Sequence, residues 1–379
     1  MDKKFVMGIA AMAALTLVSC SSDDLDSFSD NSSKNEAISF DGYLGRSAVA
    51  VNGTRGSEVK IGNLQADGFG VFGKYTTTEG QASNLFDNQK VTYSTSTTPT
   101  ESKWTYSPLK FWPANGKIDF LAYAPYDKNT TLTENSKINF KVAEKVADQK
   151  DLLWTNDMNH QITAKITSAK DKVKFQFHHA LSRLGYNVTL SGDYFSSGAT
   201  FTVNKITLAG SSDGTSKKAF YKEGTIDLSK TATKNNTENN KEDLSKTNTT
   251  TGLWTAETSD KNKQNFDLVS SAQTLDQTGI KSGDNYLFVI PQDFSGTDEL
   301  YVYVEYTINY GGTTGSVTNK VYKQIKKHFL QGNAYMLNLT LGLPIEFDVD
   351  VTGVDAGVDG WGTDDGINIG SNDTPWERK

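Results

Sequence analysis

Short apolar segments that alternate with polar residues recur along the chain after residue 37, and this period of two is what most constrains the fold. Residues 173–177 (VKFQF) and 345–351 (IEFDVDV) show it clearly. Clusters of Gly, Asn, Asp, Ser and Thr separate the segments, as in tight turns. No window keeps a 3.6-residue period over three turns. Many short strands joined by polar turns predict an all-β chain, built as a sandwich or barrel.

The first twenty residues resemble a bacterial lipoprotein signal. Lys3 and Lys4 precede a mostly apolar run of fourteen residues, 5–18, which is shorter than the roughly 20 residues of a membrane-spanning helix. The run ends at Cys20, the single cysteine of the chain, in the context LVSC. We therefore expect residues 1–19 to be a signal peptide and Cys20 to carry acyl chains such as palmitate.

Composition narrows the class of protein further. Residues 20–36 are polar and acidic, which predicts a tether between the lipid and the first strand. With 38 Lys and Arg against 45 Asp and Glu, the net charge of −7 argues against nucleic acid as a partner. We expect an exported protein, held by its lipid at the outer membrane and displayed on the cell surface.

Residues suited to catalysis, metal binding or cofactor binding do not form a convincing set. Residues 68–73 read GFGVFG and match a dinucleotide motif by letter, but the sequence around them predicts a glycine-containing strand. His178 and His179 are adjacent and would face opposite sides of a strand. Residues 348–359 only partly copy a calcium loop. We expect no catalytic residues, no metal site, no cofactor and no enzymatic activity.

Two polar stretches and one gap organise the chain. Residues 75–99 predict a long loop or hairpin around Leu85 and Phe86, and residues 229–251 predict a polar surface insertion. A polar gap at 155–171 suggests a boundary between an N-terminal sandwich, 37–166, and a C-terminal sandwich with a strand and tail extension, 167–379.

The two ends of the chain share an Ile-x-Phe pattern. Ile38 and Phe40 begin the first predicted strand, and Ile345 and Phe347 begin a strand near the C-terminus. The pattern alone allows two interpretations. The two strands could alternately fill the same position in one β-sandwich, or each could complete its own domain.

Ten segments, in order along nearly the whole chain, resemble the fimbrillin family, the Mfa-like pilus subunits of Gram-negative anaerobes. They are the lipobox at Cys20, ISF at 38–40, NGTRG at 52–56, FGVFG at 69–73, WTYSPLKFWP at 104–113, IDFLAYAP at 118–125, DLLW at 151–154, KFQFHHALSRL at 174–184, YLFVIPQ at 286–292 and GNAY at 332–335. The resemblance implies two tandem transthyretin-like β-sandwiches, cleavage after an Arg near the first strand, and polymerisation by donor-strand exchange.

Carried onto this chain, the resemblance places cleavage after Arg55 or Arg46, with Arg55 preferred because it lies in a turn-like NGTRG sequence. Ile38 and Phe40 would leave with the first strand. The candidate donor residues are Ile345, Phe347, Val349 and Val351. The tail 352–379, with Ile367 and Ile369, is an alternative donor. Partners would be other fimbrillin subunits, in a homopolymer or a mixed pilus.

A second hypothesis keeps the chain monomeric. It would then be a tip, anchor or adhesin lipoprotein that binds a glycan or a protein on a host or bacterial surface. Trp104, Tyr106 and Trp112 would be its exposed aromatic contacts, although an alternating Trp-x-Tyr pattern is more often part of a core.

Overall fold

The computed structural model of the chain describes residues 37–44, 61–95, 104–133, 135–162, 172–190, 198–231, 252–283, 285–311, 315–341, 348–353, 367–369 and 377–378. These residues form 26 strands and one short α-helix. The predicted all-β class is confirmed. The tandem arrangement of transthyretin-like domains stays a prediction.

The first part of the chain holds eight strands and the helix, in this order: β1 (Phe40–Leu44), α1 (Ile61–Asp67), β2 (Phe69–Thr76), β3 (Ala82–Tyr93), β4 (Trp104–Thr105), β5 (Lys117–Ala124), β6 (Lys137–Lys141), β7 (Leu153–Gln161) and β8 (Val173–His179). A 3-10 turn covers Val146–Asp148. Strands β2 and β3 form a hairpin. Of the stretch 75–99, for which the sequence predicts a long loop or a hairpin, residues 82–93 are the long strand β3.

The later strands are β9 (Ser182–Leu190), β10 (Thr200–Ala209), β11 (Phe220–Tyr221), β12 (Glu223–Asp227), β13 (Trp254–Thr255), β14 (Lys263–Gln264), β15 (Phe266–Val269), β16 (Gln273–Leu275), β17 (Ile280–Lys281), β18 (Leu287–Val289), β19 (Gln292–Asp293), β20 (Tyr301–Asn309), β21 (Ser316–Gln324), β22 (His328–Phe329), β23 (Ala334–Leu341), β24 (Asp348–Gly353), β25 (Ile367–Ile369) and β26 (Glu377–Arg378). A second 3-10 turn covers Asp260–Asn262.

Helix α1 was missed by the sequence analysis. Ile61 begins a helix of seven residues whose Leu64 is fully buried. Two turns are too short to show a sustained 3.6-residue period. The packing of one leucine, rather than a long amphipathic pattern, holds the helix against the core.

Three large sheets carry the architecture. The first has seven strands in the order β1-β8-β7-β5-β2-β3-β4. The other two have six strands each: β15-β10-β20-β21-β26 with β16 beside β10, and β17-β9-β23-β24-β25 with β18 beside β9. Small ladders join β13-β12-β6, β11-β14 and β19-β22. Because β6 pairs with β12, the earlier and later parts of the chain share a sheet.

The seven-stranded sheet is buried on both of its faces around β5. Phe120 and Ala122 belong to one hydrophobic cluster, whereas Leu121 and Tyr123 belong to a second and larger cluster that continues into the six-stranded sheets. Side chains of neighbouring strand residues point to opposite faces. Burial on both faces is why residues 120–124 (FLAYA) read as a continuous apolar run rather than as an alternating one.

The glycines of the GFGVFG segment serve close packing inside strand β2. A Cβ atom at Gly70 would lie 2.4 Å from Cε1 of Tyr123 and 2.8 Å from Oδ1 of Asn88. The segment is a glycine-containing strand, as the sequence predicts, and no helix follows it at the position that a dinucleotide site requires.

The predicted division between residues 166 and 167 lies outside the described residues and stays a prediction. Strand β8, which that division assigns to the second domain, pairs with β7 and with β1 in the seven-stranded sheet. Among the described residues, no helix is long and apolar enough to cross a membrane.

Candidate functional site

Strand β1 lies at one end of the seven-stranded sheet and pairs in parallel with β8. Phe40 is opposite Val173 and Leu44 is opposite Phe177. The amide of Val173 donates a 2.9 Å hydrogen bond to the carbonyl oxygen of Ser39, and the amide of Ile38 donates one of 2.8 Å to Lys110. The first strand is thus held by β8 on one side and by the segment around Lys110 on the other.

Tyr106 fastens the start of this strand. Its phenolic hydroxyl donates to the carbonyl oxygen of Ile38 at 2.7 Å and also lies 3.2 Å from the carbonyl oxygen of Lys110. The Lys110 amide in turn donates to the phenol at 3.3 Å. Burial raises the pKa of Tyr106 above its ordinary value, so the hydroxyl keeps its proton at neutral pH.

Aromatic rings surround Phe40. Its ring stacks on Phe175 at a centroid distance of 5.6 Å, and three further rings lie within 5.8 Å: Phe86, Tyr106 and Phe120. We call these four rings, together with the three rings around Gly42 (Phe69, Trp104 and Phe177), the first-strand seat. Most of its members are buried apolar side chains that would meet water if β1 were absent.

Gly42 occupies a narrow point of the first-strand seat. A Cβ atom there would lie 3.1 Å from Phe69, 3.4 Å from Phe177 and 3.6 Å from Trp104. These rings also contact one another, with centroids 4.9 Å apart for Phe69 and Trp104 and 5.2 Å apart for Phe69 and Phe177. The seat therefore holds the large apolar side chains of Ile38 and Phe40 and, two residues further along, a glycine at position 42.

The structure buries both residues that the sequence predicts to leave with the first strand. Ile38 and Phe40 are each 1 % exposed. The expectation of exposed binding aromatics is wrong: Trp104, Tyr106 and Trp112 are 5 %, 9 % and 7 % exposed. Their rings belong to the hydrophobic cluster that surrounds β1: Tyr106 packs against Phe40, Trp104 against Phe69 and Trp112 against Phe120.

The C-terminal candidate strand is paired within its own chain. In β24, Val349 is opposite Leu339 and Val351 is opposite Leu337 of β23. Strand β25 covers the other edge of β24, and β26 pairs with β21 in the second six-stranded sheet. Five predicted site residues lie outside the described residues: Cys20, Arg46, Arg55, Ile345 and Phe347.

An open cleft of about 730 Å³ lies where the β5–β6 loop meets the β12 ladder. The half-buried rings of Tyr126 and Phe140 line it, with Asp127, Glu223 and Glu257 among its polar groups. This cleft could not be predicted from the sequence, because its walls come from two segments, residues 123–152 and residues 223–262, that meet only in the fold. Among the described residues, no three His, Cys, Asp or Glu side chains are grouped to hold a metal ion.

Comparison with known proteins identifies the family. The model of fimbrillin-like proteins matches residues 54–361, most of the chain, so the protein belongs to the fimbrillin-like family. The fimbrium subunit Fim1C of Phocaeicola vulgatus is 27 % identical over 388 residues, covering 94 % of this chain and 96 % of that protein. The family resemblance seen in the sequence is confirmed.

A solved structure shares the fold. The crystal structure of a fimbrial protein from Bacteroides vulgatus superposes with a TM-score of 0.57 at 20 % identity, covering 84 % of this chain and 99 % of that one. At this identity the likeness supports the all-β fold.

Proposed function

We propose that this protein is a structural subunit of a surface pilus and that its first strand is exchanged for a strand of a neighbouring subunit. The observation that carries the proposal is the first-strand seat. The edge strand β1 fills a groove lined by aromatic rings. Removal of β1 would expose these buried rings and, beside them, the main-chain groups of β8 that pair with β1. A groove of that kind is a template for strand addition.

The energetics favour a replacement strand over an empty groove. Burial of a large apolar side chain contributes roughly 1.5–3 kcal/mol. Ile38 and Phe40 both make such contributions, and the main-chain bonds to Lys110 and Val173 add to them. An emptied seat would therefore bind an extended Ile-x-Phe segment, and residues 345–351 offer one.

In this proposal, maturation has two steps, acylation first and proteolytic cleavage second. Cys20 is acylated during export and anchors the protein at the outer membrane, and cleavage after Arg55 or Arg46 then separates the first strand from the remainder. Both arginines lie between β1 and α1 in the sequence, so cleavage at either would release β1 without cutting the rest of the seat. The proposed partners are further fimbrillin subunits at the cell surface.

The proposal is tested with two differently tagged copies of the mature chain, mixed and treated with an Arg-specific protease. One tag should then retain the other on an affinity resin, and boiling should release it. The variant Phe347→Asp in both copies should abolish this capture, whereas Asp350→Asn should preserve it. Equal capture before and after cleavage, or capture that Phe347→Asp leaves intact, would contradict the proposal.

A second function, binding of a surface glycan, is favoured by the cleft near Tyr126. Rings such as Tyr126 and Phe140 can pack on the apolar faces of a sugar, and carboxylates such as Glu223 and Glu257 can accept its hydroxyl hydrogens. The test is a glycan array probed with the intact chain. Tyr126→Ala should remove any signal that Tyr310→Ala, at an exposed position outside the cleft, retains.

A further inference from the structure

The first strand and the C-terminal strand have closely similar sequences. Residues 38–44 read ISFDGYL and residues 345–351 read IEFDVDV. Aligned without gaps, the two segments share Ile, Phe and Asp at three positions and have Leu44 against Val351 at the last. Among the buried positions 38, 40 and 42, the two segments differ only at Gly42, which aligns with Val349.

That single difference falls at the narrow point around Gly42. One added Cβ atom would lie 3.1 Å from Phe69, and a valine adds two methyl groups beyond it. Phe69 packs against both Trp104 and Phe177, so a shift of its ring disturbs those two rings as well. Extra carbon atoms forced into a packed aromatic cluster displace side chains and strain the site.

We propose that position 42 of the first-strand seat is a steric selector. It accepts the chain's own first strand readily and accepts the strand 345–351 of a second copy only after the rings around Gly42 shift. The inference rests on the proposed exchange of strands. The selector therefore sets the order of events. While β1 is attached, residues 345–351 of a second copy fit the seat less well than β1 does, so exchange follows the release of the first strand.

The same alignment fixes the register of the incoming strand. Ile345 takes the place of Ile38, and Asp348 takes the place of Asp41, which is opposite Lys174 in β8. A shift of four residues would bring Gly353 to the narrow point, but it would put Val351 in the place of Phe40. The four rings around Phe40 would then lose most of their contacts.

The selector is tested in the full mature chain with Val349→Gly. After cleavage by an Arg-specific protease, this variant should form heat-sensitive, denaturant-resistant oligomers at least about fivefold faster than the wild type, because overpacking is relieved. Val351→Gly, which removes an apolar side chain that aligns with Leu44 rather than with a glycine, should slow the same reaction. Rates for Val349→Gly at or below those of the wild type would overturn the selector.

The register is tested by disulfide formation in chains that carry Cys20→Ser. An acceptor with Lys174→Cys should cross-link, after cleavage, to a donor with Asp348→Cys, because paired strand positions fall within disulfide range. A donor with Thr352→Cys should not cross-link. Cross-linking of Thr352→Cys, or oligomers that cross-link with neither donor, would overturn the register. A processed wild-type chain that forms no oligomer would instead refute strand exchange itself.

Discussion

The phenolic hydroxyl of Tyr106 donates a 2.7 Å hydrogen bond to the carbonyl oxygen of Ile38, across 68 residues of sequence. This bond joins the loop after β4 to the residue that leads into β1. The pairing with β8, the hydrogen bond from Ile38 to Lys110, this phenol and the aromatic contacts of Phe40 together hold the first strand in the fold.

Removing only the hydroxyl should loosen the first strand. Tyr106→Phe keeps the ring against Phe40 and leaves the Ile38 carbonyl without this donor, so we expect the free energy of unfolding to fall by about 1–2 kcal/mol. Denaturant unfolding measures the change. Tyr310→Phe, at a residue that is 44 % exposed, is the control and should change little. Equal losses in the two variants would show that the phenol does not fasten the strand.

The same phenol should make the first strand sensitive to alkali. Burial raises the pKa of Tyr106 above its ordinary value of 10.0, so the folded state retains a proton that the unfolded state releases first. The stability that this group contributes is present below about pH 10 and is lost as the pH rises through the folded pKa. The melting temperature of the wild type should fall more steeply above pH 10 than that of Tyr106→Phe. Parallel curves would contradict this assignment.

Phe40 should carry the largest share of the first strand's stability. Its ring is 1 % exposed and contacts four other aromatic rings, so Phe40→Ala should cost about 3–5 kcal/mol. Asp41→Ala, one residue further along and exposed, should stay within about 0.5 kcal/mol. Thermal unfolding of the unprocessed chain provides the comparison. A small effect of Phe40→Ala would mean that β1 contributes little to the fold.

The adjacent residues His178 and His179 at the end of β8 allow a matched comparison of a half-buried and a buried histidine. His179 lies 2.7 Å from the Oδ2 atom of Asp151, and both side chains are almost fully buried, whereas His178 is half-buried. His179→Ala leaves a buried carboxylate without this partner and should cost about 3–5 kcal/mol. His178→Ala should cost clearly less. Unfolding in urea ranks the two, and equal costs would contradict a structural role for the pair.

Much of the fold follows from local pattern. The alternation of residues 173–177 and the apolar run 120–124 predict strands β8 and β5 because side-chain period and burial are properties of a single segment. Helix α1 is too short to show a period. The hairpin residue Phe86 reads as part of a polar loop, and its place against Phe40 is set by tertiary packing.

The candidate site is predictable only in part, because some of its features are local patterns and others are contacts between distant segments. The Ile-x-Phe pattern predicts which residues of the first strand are buried. The role of Tyr106 and the narrow point at Gly42 depend on contacts between segments far apart in sequence, with Phe69, Trp104 and Phe177 meeting at one glycine. No local pattern records such contacts.

The central claim, that the first strand is released and replaced by a strand of another subunit, is tested most directly by limited proteolysis. The purified mature chain is cut with an Arg-specific protease, its new N-terminus is sequenced, and the product is run unboiled on a denaturing gel. The account predicts a new N-terminus at Gly56 or Ser47 and a ladder of multimers that collapses on boiling. A chain cleaved at either arginine that stays monomeric would contradict it.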